Sequence, residues 1–321
     1  MSTSLVTGGA GFIGSHLVEA LVARGDRVRV LDNVSTGRKE NLAGVWHQIE
    51  FTQGDITDEA AVQKAVAGVD FVFHQAAVAS VPRSVDAPLE SHAACTTGTL
   101  NLLDAARKAG VKRFVLAASS SAYGNQPSPV KKETDLPSPL SPYAAAKLAA
   151  EHFCHAFYHS YGLETVCLRY FNVFGPRQDP SGPYAAVIPI FVQLLLAGKS
   201  PMIYGDGKQT RDFTYVGNVV QANLLASTAP PAKIASSPSR VFNIGSGSAI
   251  SLVDLLGDLN AICGTSIVPT FQPPRAGDVR DSLASIDRAR ALLGYAPRVG
   301  WREGLARTVA WYRERLGAAS V

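Results

Sequence analysis

The stretch from Val6 to Gly14, VTGGAGFIG, constrains this chain more than any other. It follows a short β-prone run, TSLVT, and leads into a helical pattern, SHLVEALVAR, that stops at Gly25. The glycines at 8, 11 and 14 permit a tight turn from strand to helix and let the backbone come close to a ligand. A glycine pattern alone is weak evidence. Between a strand and a helix it is strong, because the helix N-terminus then offers unpaired N–H groups to a pyrophosphate. A dinucleotide-binding βαβ unit is expected here.

The pattern continues along the first half. DRVRVLD, DFVFHQA, KRFVLAAS and ETVCLRYFN read as strands, and TTGTLNLLDAARKAG as a helix ending at Gly110. This alternation predicts an α/β fold, a Rossmann-type doubly wound parallel sheet with its ligand at the carboxyl ends of the strands. After Asn172 the pattern loosens. Residues 174–184 are rich in Gly and Pro, and alternation partly resumes with RDFTYV, a helix near 217–228 and RVFNIG. Residues 227–239, STAPPAKIASSPS, read as a surface loop. WREGLARTVAWYRERL reads as an amphipathic helix whose aromatics pack rather than react. The expected division is residues 1–172 for the dinucleotide, with 213–245 returning to that part. Residues 173–212 and 246–321 then form a smaller mixed α/β C-terminal lobe for the substrate.

Asp32 closes the second strand, where an acid accepts from adenosine ribose hydroxyls and repels a 2′-phosphate. NAD is favoured over NADP, the plainer alternative being a turn-forming aspartate. Asp55 either holds the adenine amine or caps the helix beginning near Glu59.

The 321 residues carry a net charge of +4 with no long Lys/Arg run, which does not indicate nucleic-acid binding. The 46% apolar content suffices for a large core. Cys95, Cys154, Cys167 and Cys263 have no metal-ligand spacing and read as buried small hydrophobes, so no metal is expected. No charged leader and no apolar run of about 18 residues occurs, so a cytoplasmic protein without a membrane partner is expected.

SPYAAAK, residues 141–147, opens another helix. Ser141 is a good N-cap and Pro142 suits the first helical position. The helix should run to Gly162. Tyr143 and Lys147 lie one turn apart near its N-terminus, where the dipole and an ammonium both favour a phenolate. That arrangement suits a general base.

Taken together, the glycine turn, SSSAYG, YAAAK and RYFNVFGPRQ resemble the extended short-chain dehydrogenase/reductase superfamily. HQAAVASVPRSV, GPRQDPSGPYAAVIP and GKQTRDFTYV are similar to its UDP-sugar 4-epimerases, especially the branch acting on UDP-N-acetylhexosamines. The resemblance spans nearly the whole chain. It implies hydride transfer from sugar C4 to a tightly held NAD⁺ and back onto the other face. Tyr143 would remove the C4 hydroxyl proton, Lys147 would hold the nicotinamide ribose and lower the tyrosine pKa, and Ser119 would hydrogen-bond the C4 oxygen beside Ser120 and Ser121. NAD would lie against Gly8, Gly11, Phe12, Ile13, Gly14, Asp32, Asn33, Thr36, Gly37, Asp55, Ile56, Gln75, Ala76, Ala77 and Tyr170. The serines stand where related dehydratases and decarboxylases carry carboxylates, which favours simple epimerisation.

For a UDP-sugar the resemblance implies Arg211 and Arg275 at the diphosphate, Asn172 at the phosphate or sugar, Val187 and Tyr204 flanking uracil, and Asp278 near the ribose. Phe171 would lie near the nicotinamide. Ser282 stands where enzymes limited to plain hexoses hold a bulky tyrosine, so volume opens for an N-acetyl group. Ser80 and Arg83 resemble the N-acetylhexosamine branch as well. Cys95 departs from the family asparagine, and Gly217 and Asn218 depart from an acidic pair. A homodimer through helices near 92–109 and 142–161 is implied. A uronate substrate, or a net dehydrogenase or reductase, is the open alternative.

Overall fold

The computed structural model describes residues 1–181, 185–274 and 280–318. Its strands are β1 Thr3–Thr7, β2 Arg27–Asp32, β3 Ile49–Gln53, β4 Phe71–His74, β5 Arg113–Ser119, β6 Val130–Lys131, β7 Thr165–Tyr170, β8 Val173–Phe174, β9 Met202–Tyr204, β10 Thr210–Arg211, β11 Thr214–Tyr215, β12 Val241–Ile244, β13 Ile250–Ser251, β14 Thr270–Gln272 and β15 Asp281–Ala284. The α-helices are α1 Phe12–Ala23, α2 Glu59–Val66, α3 Val81–Asp86, α4 Pro88–His92, α5 Gly98–Lys108, α6 Pro142–Tyr161, α7 Val187–Leu196, α8 Val216–Thr228, α9 Pro231–Ala235, α10 Leu252–Cys263, α11 Asp287–Leu293 and α12 Trp301–Ala318.

Seven strands form one parallel sheet in the order β12-β7-β5-β4-β1-β2-β3. The order reverses between β1 and β4, which opens a crevice at their carboxyl ends. Strand side chains alternate between the faces. Val6, Val30 and Phe73 face one core with Leu17 and Leu21 of α1 and Val219 of α8. Leu5, Leu31 and Val72 face the other, with Leu102 and Leu103 of α5 and Ala150 and Phe157 of α6. Both faces are covered, as the near-continuous apolar strands require.

A mixed sheet, β13-β10-β15-β6, lies apart from it, so Val130 and Lys131 of the first half pair with β15 of the second. A third core joins Phe191 of α7, Leu255 and Leu259 of α10, and Leu305 and Tyr312 of α12. Trp301 stacks on Phe213 at 5.4 Å, so the tail aromatics do pack.

Two expectations about elements are corrected. RDFTYV is not one strand. It breaks at Asp212 into β10 and β11, which belong to different sheets. The buried Asp212 carboxylate causes the break, because it accepts from the N–H groups of Ser246, Gly247 and Ala284 at 2.6, 3.0 and 3.2 Å. Residues 227–239 are not a loose loop. The turn of α9 buries Ile234 completely, and the Arg113 guanidinium gathers the carbonyls of Ala226 and Ala229 at 3.0 and 2.5 Å. Asn218 ties α8 to the segment before α12. Its amide accepts from the N–H groups of Arg298 and Val299 and donates to the Val299 carbonyl.

Candidate active site

The β1–α1 turn is built by its glycines. Gly8 sits at φ +68°, and a Cβ there would lie 2.6 Å from the Ala76 nitrogen. A Cβ on Gly14 would lie 2.1 Å from the Gly8 carbonyl oxygen. Gly11 caps α1 without a side chain, so the first-turn N–H groups stay directed toward the crevice. Asp32 faces them from the end of β2, accepting from Ala10 N–H at 2.9 Å and Val34 N–H at 2.7 Å. Val34 is held at φ +58°, an unusual conformation for a β-branched residue. Asn33 donates to Asp55 at 2.7 Å. Asp55 does not cap α2; Asp58 does, accepting from Ala60 and Ala61 N–H, because it is the residue adjoining the first turn.

These groups line a cleft of about 410 Å³ over the switch point. All the residues assigned to the dinucleotide lie along it: Gly8, Gly11 to Gly14, Asp32, Asn33, Thr36, Gly37, Asp55, Ile56, Gln75 to Ala77, Tyr143, Lys147 and Tyr170. Arg38, Asn41, Arg177 and Asp179 also line it, and the sequence reading missed them. Arg38 pairs with Asp179 at 2.8 Å across two loops far apart in the chain, a contact no local pattern signals. The glycine cradle, the uncapped helix end and the carboxylate at the ribose position fit a dinucleotide.

A second cleft, about 700 Å³, opens beside the first. Ser119, Ser120, Ser121, Tyr143, Asn172, Arg211 and Ser282 line it, with Lys131, Leu140 and Gln178 as additions. Arg211 and Ser282 are register partners of β10 and β15. Arg211 donates to the carbonyls of Thr210 and Arg280. The two clefts share a wall of Phe12, Ile13, Ala79, Ala118, Tyr143 and Tyr170.

Some expected positions fall elsewhere. Ser80 and Arg83 line the first cleft, not the second; Ser80 caps α3 by accepting from Arg83 N–H, and the Arg83 guanidinium pairs with Glu90. Val187, at the start of α7, and Tyr204, in β9 beside β14, border neither cleft. Phe171 is wholly buried against Tyr123. Arg275 and Asp278 lie outside the described residues. Cys263 is only half-buried, while the other three cysteines are buried.

Helix α6 forms as its sequence dictates. Ser141 Oγ accepts from Ala144 N–H at 3.2 Å, Pro142 takes the first turn, and Gly162 ends α6 in the left-handed region. Tyr143 and Ser119 line the same cleft, and Ser121 Oγ donates to Ser119 Oγ at 2.8 Å. The buried Lys147 ammonium donates to the Ala117 carbonyl at 2.9 Å. The expected lowering of the phenol pKa by Lys147 is corrected. Burial, followed by the electrostatic influence of Cys95, pushes the Tyr143 phenol up, and Ser119 opposes them. Burial likewise lowers the Lys147 ammonium, while Cys95, Glu151 and Cys154 support its charge. Cys95 sits fully buried in a π-helical turn, Ala93–Thr97, a distortion frequent at functional sites. His74, at the end of β4, is fully buried and lines neither cleft, bonded to Thr7 at 2.7 Å and Thr99 at 2.9 Å.

The chain belongs to the NAD dependent epimerase/dehydratase family, whose pattern matches residues 4–245. It is 41% identical over 317 residues to the UDP-glucose 4-epimerase of Mycolicibacterium smegmatis, covering 97% of this chain and 99% of that one. Among solved structures it resembles the UDP-N-acetylglucosamine 4-epimerase of Methanobrevibacter ruminantium in complex with UDP-N-acetylmuramic acid, at 38% identity and a TM-score of 0.92, covering 98% and 99% of the two chains. The UDP-glucose 4-epimerase of Thermotoga maritima with UDP-glucose matches at 40% identity and a TM-score of 0.91, again covering 98% and 99%. Among the described residues no helix is long and apolar enough to cross a membrane, and no cluster of side chains could hold a metal ion.

Proposed function

We propose that this protein is an NAD-dependent UDP-sugar 4-epimerase that interconverts UDP-N-acetylglucosamine and UDP-N-acetylgalactosamine, and also accepts UDP-glucose and UDP-galactose. One observation carries the reading: Tyr143 stands on the wall common to the two clefts, so one phenol borders both a dinucleotide and a sugar.

NAD, when bound, accepts the hydride from sugar C4 and returns it. Gly8, Gly11, Asp32 and Lys147 would hold it. Tyr143 takes the proton of the C4 hydroxyl as C4 becomes a ketone and gives it back when the opposite face is reduced. Ser119 steadies the C4 oxygen and the phenol, and Ser121 steadies Ser119 in turn. The cationic nicotinamide would supply the pull toward phenolate that burial opposes. Arg211 and Asn172 face the diphosphate, where a guanidinium suits phosphate oxygens. Ser282 beside Arg211 leaves volume for an N-acetyl group. Of the relatives named above, two are UDP-glucose 4-epimerases and one is a UDP-N-acetylglucosamine 4-epimerase, which keeps both sugar classes in the reading. In this reading the large parallel sheet serves NAD, and the smaller sheet and α7, α10 and α12 serve the nucleotide sugar. We also read the molecule as a homodimer through α5 and α6, which light scattering tests; a monomer would overturn that part.

The test is direct. Purified protein without added NAD is given UDP-GlcNAc, UDP-Glc and their uronates separately, and the products are separated. Conversion of UDP-GlcNAc is expected. Conversion of a uronate alone would move the substrate assignment, and conversion of none would refute the epimerase reading.

A further inference from the structure

We propose that Glu151, Arg169 and Tyr123 form a buried brace that holds the two halves of the reactive site in register, with Glu151 as the counter-charge of Lys147. This rests on the reading of Tyr143, Lys147 and Ser119 as the reacting group. Lys147 and Glu151 are one turn apart on α6, and both are almost inaccessible to water. An ammonium in such a place needs a nearby negative charge. The groups that face it are Cys95 from the π turn, Glu151 and Cys154 from α6, and His74 from β4. Glu151 is the carboxylate among them.

Glu151 is itself fixed. Its oxygens accept from Arg169 Nε at 3.0 Å and Nη2 at 2.7 Å, with both side chains 4% exposed. The pair therefore presents its negative end on the Lys147 helix and its positive end on β7. The Arg169 guanidinium lies over the Tyr123 ring at 4.6 Å. Tyr123 ends the short turn that begins at Ser120, directly after Ser119. The contact thus ties the turn carrying Ser119 to the helix carrying Tyr143 and Lys147. It extends further: Tyr123 Oη donates to Asn243 Oδ1 at 2.6 Å, and Asn243 donates to the carbonyls of Lys131 and Ser285 at 2.9 and 3.2 Å. Lys131 belongs to β6, and Ser285 directly follows β15, the strand that carries Ser282. Cys167 also faces the ion pair, and Glu133 faces Tyr123.

Removing one charge of a buried pair strands the other. In Glu151→Gln the Arg169 cation loses its partner, and Lys147 loses the one carboxylate that supports its charge, so Lys147 deprotonates at lower pH. Two readouts separate this from loss of packing. The first is an NMR titration of the Lys147 ¹³Cε signal, identified by its absence in Lys147→Met, which needs no turnover. Its midpoint should fall by roughly a pH unit or more in Glu151→Gln and return in Glu151→Asp. The second is the alkaline limb of kcat/KM, which should move to lower pH in step. A midpoint and limb that stay in place in Glu151→Gln overturn the brace as a charge device, whatever happens to kcat. Should that variant fail to fold, Glu151→Met with Arg169→Met replaces the pair by apolar side chains, and an unshifted Lys147 midpoint there overturns the proposal equally. If wild-type protein turns over no UDP-sugar, the functional reading fails while the NMR titration still decides this one.

Discussion

Ser121 Oγ donates to Ser119 Oγ at 2.8 Å, and both serines line the second cleft together with the Tyr143 phenol, whose pKa Ser119 holds down against burial. Two linked hydroxyls at the end of β5 thus share the second cleft with the phenol, while Lys147, one turn along α6, donates to the Ala117 carbonyl. On the proposed mechanism, Tyr143→Phe removes the proton acceptor and leaves the glycine cradle intact. Turnover should fall by about 10²- to 10⁴-fold, with bound NAD retained in the purified protein. Ser119→Ala should be milder. Stopped assays and NAD content after denaturation check both.

Ser282 lines the second cleft as the register partner of Arg211, where the proposed reading gives it control of sugar size. Ser282→Tyr should lower kcat/KM for UDP-GlcNAc by more than about tenfold relative to UDP-Glc, since a misfit group in a pocket costs about 1–3 kcal/mol. The ratio of the two values is the measurement, and an unchanged ratio would separate Ser282 from specificity.

Gly14 has no room to grow. A methyl group there would stand 2.1 Å from the Gly8 oxygen, so Gly14→Ala must displace the turn that offers its N–H groups to the dinucleotide. NAD content should drop sharply, and the melting temperature should fall because the helix start moves. Ala10→Gly, in the same loop, should keep most of its NAD.

His74 sets a pH dependence of stability. Burial drives its pKa from 6.5 down to about 3, so it is neutral in the fold, and an unfolded chain protonates it first. Its contribution is complete above pH 6.5 and is lost as pH falls from there toward 3, by up to about 1.4 kcal/mol per pH unit. His16 and His155 are lowered as well and add to the slope. Melting curves between about pH 7.5 and 5 should show a shallower pH dependence in His74→Asn than in wild type, even though the variant is less stable throughout.

Local chemistry made much of the site legible. The strand–glycine–helix turn, the Ser-Pro start of α6 and Asp32 at the end of β2 each depend on neighbours in sequence, so the residues themselves announce them. Contacts between distant segments were not legible. Arg38 and Asp179 meet across loops 141 positions apart in the chain, and Glu151 meets Arg169 only because α6 packs on β7. The break of RDFTYV at Asp212 escaped notice because its cause, three N–H groups from two other segments, is tertiary. The assignment of Asp55 as a possible cap failed because Asp58 offers the same side chain at the helix start. Tyr143 shows both cases: its position followed from the sequence, whereas its raised pKa follows from burial that only the packed fold creates.

The central claim is that hydrogen leaves sugar C4 and returns to it within one closed site. UDP-GlcNAc deuterated at C4 should be converted to UDP-GalNAc that keeps its deuterium at C4, with none appearing in solvent or in an excess of added NAD. Loss of the label to water would contradict hydride transfer, and its appearance in the added NAD would contradict an epimerase that completes its cycle on one bound cofactor.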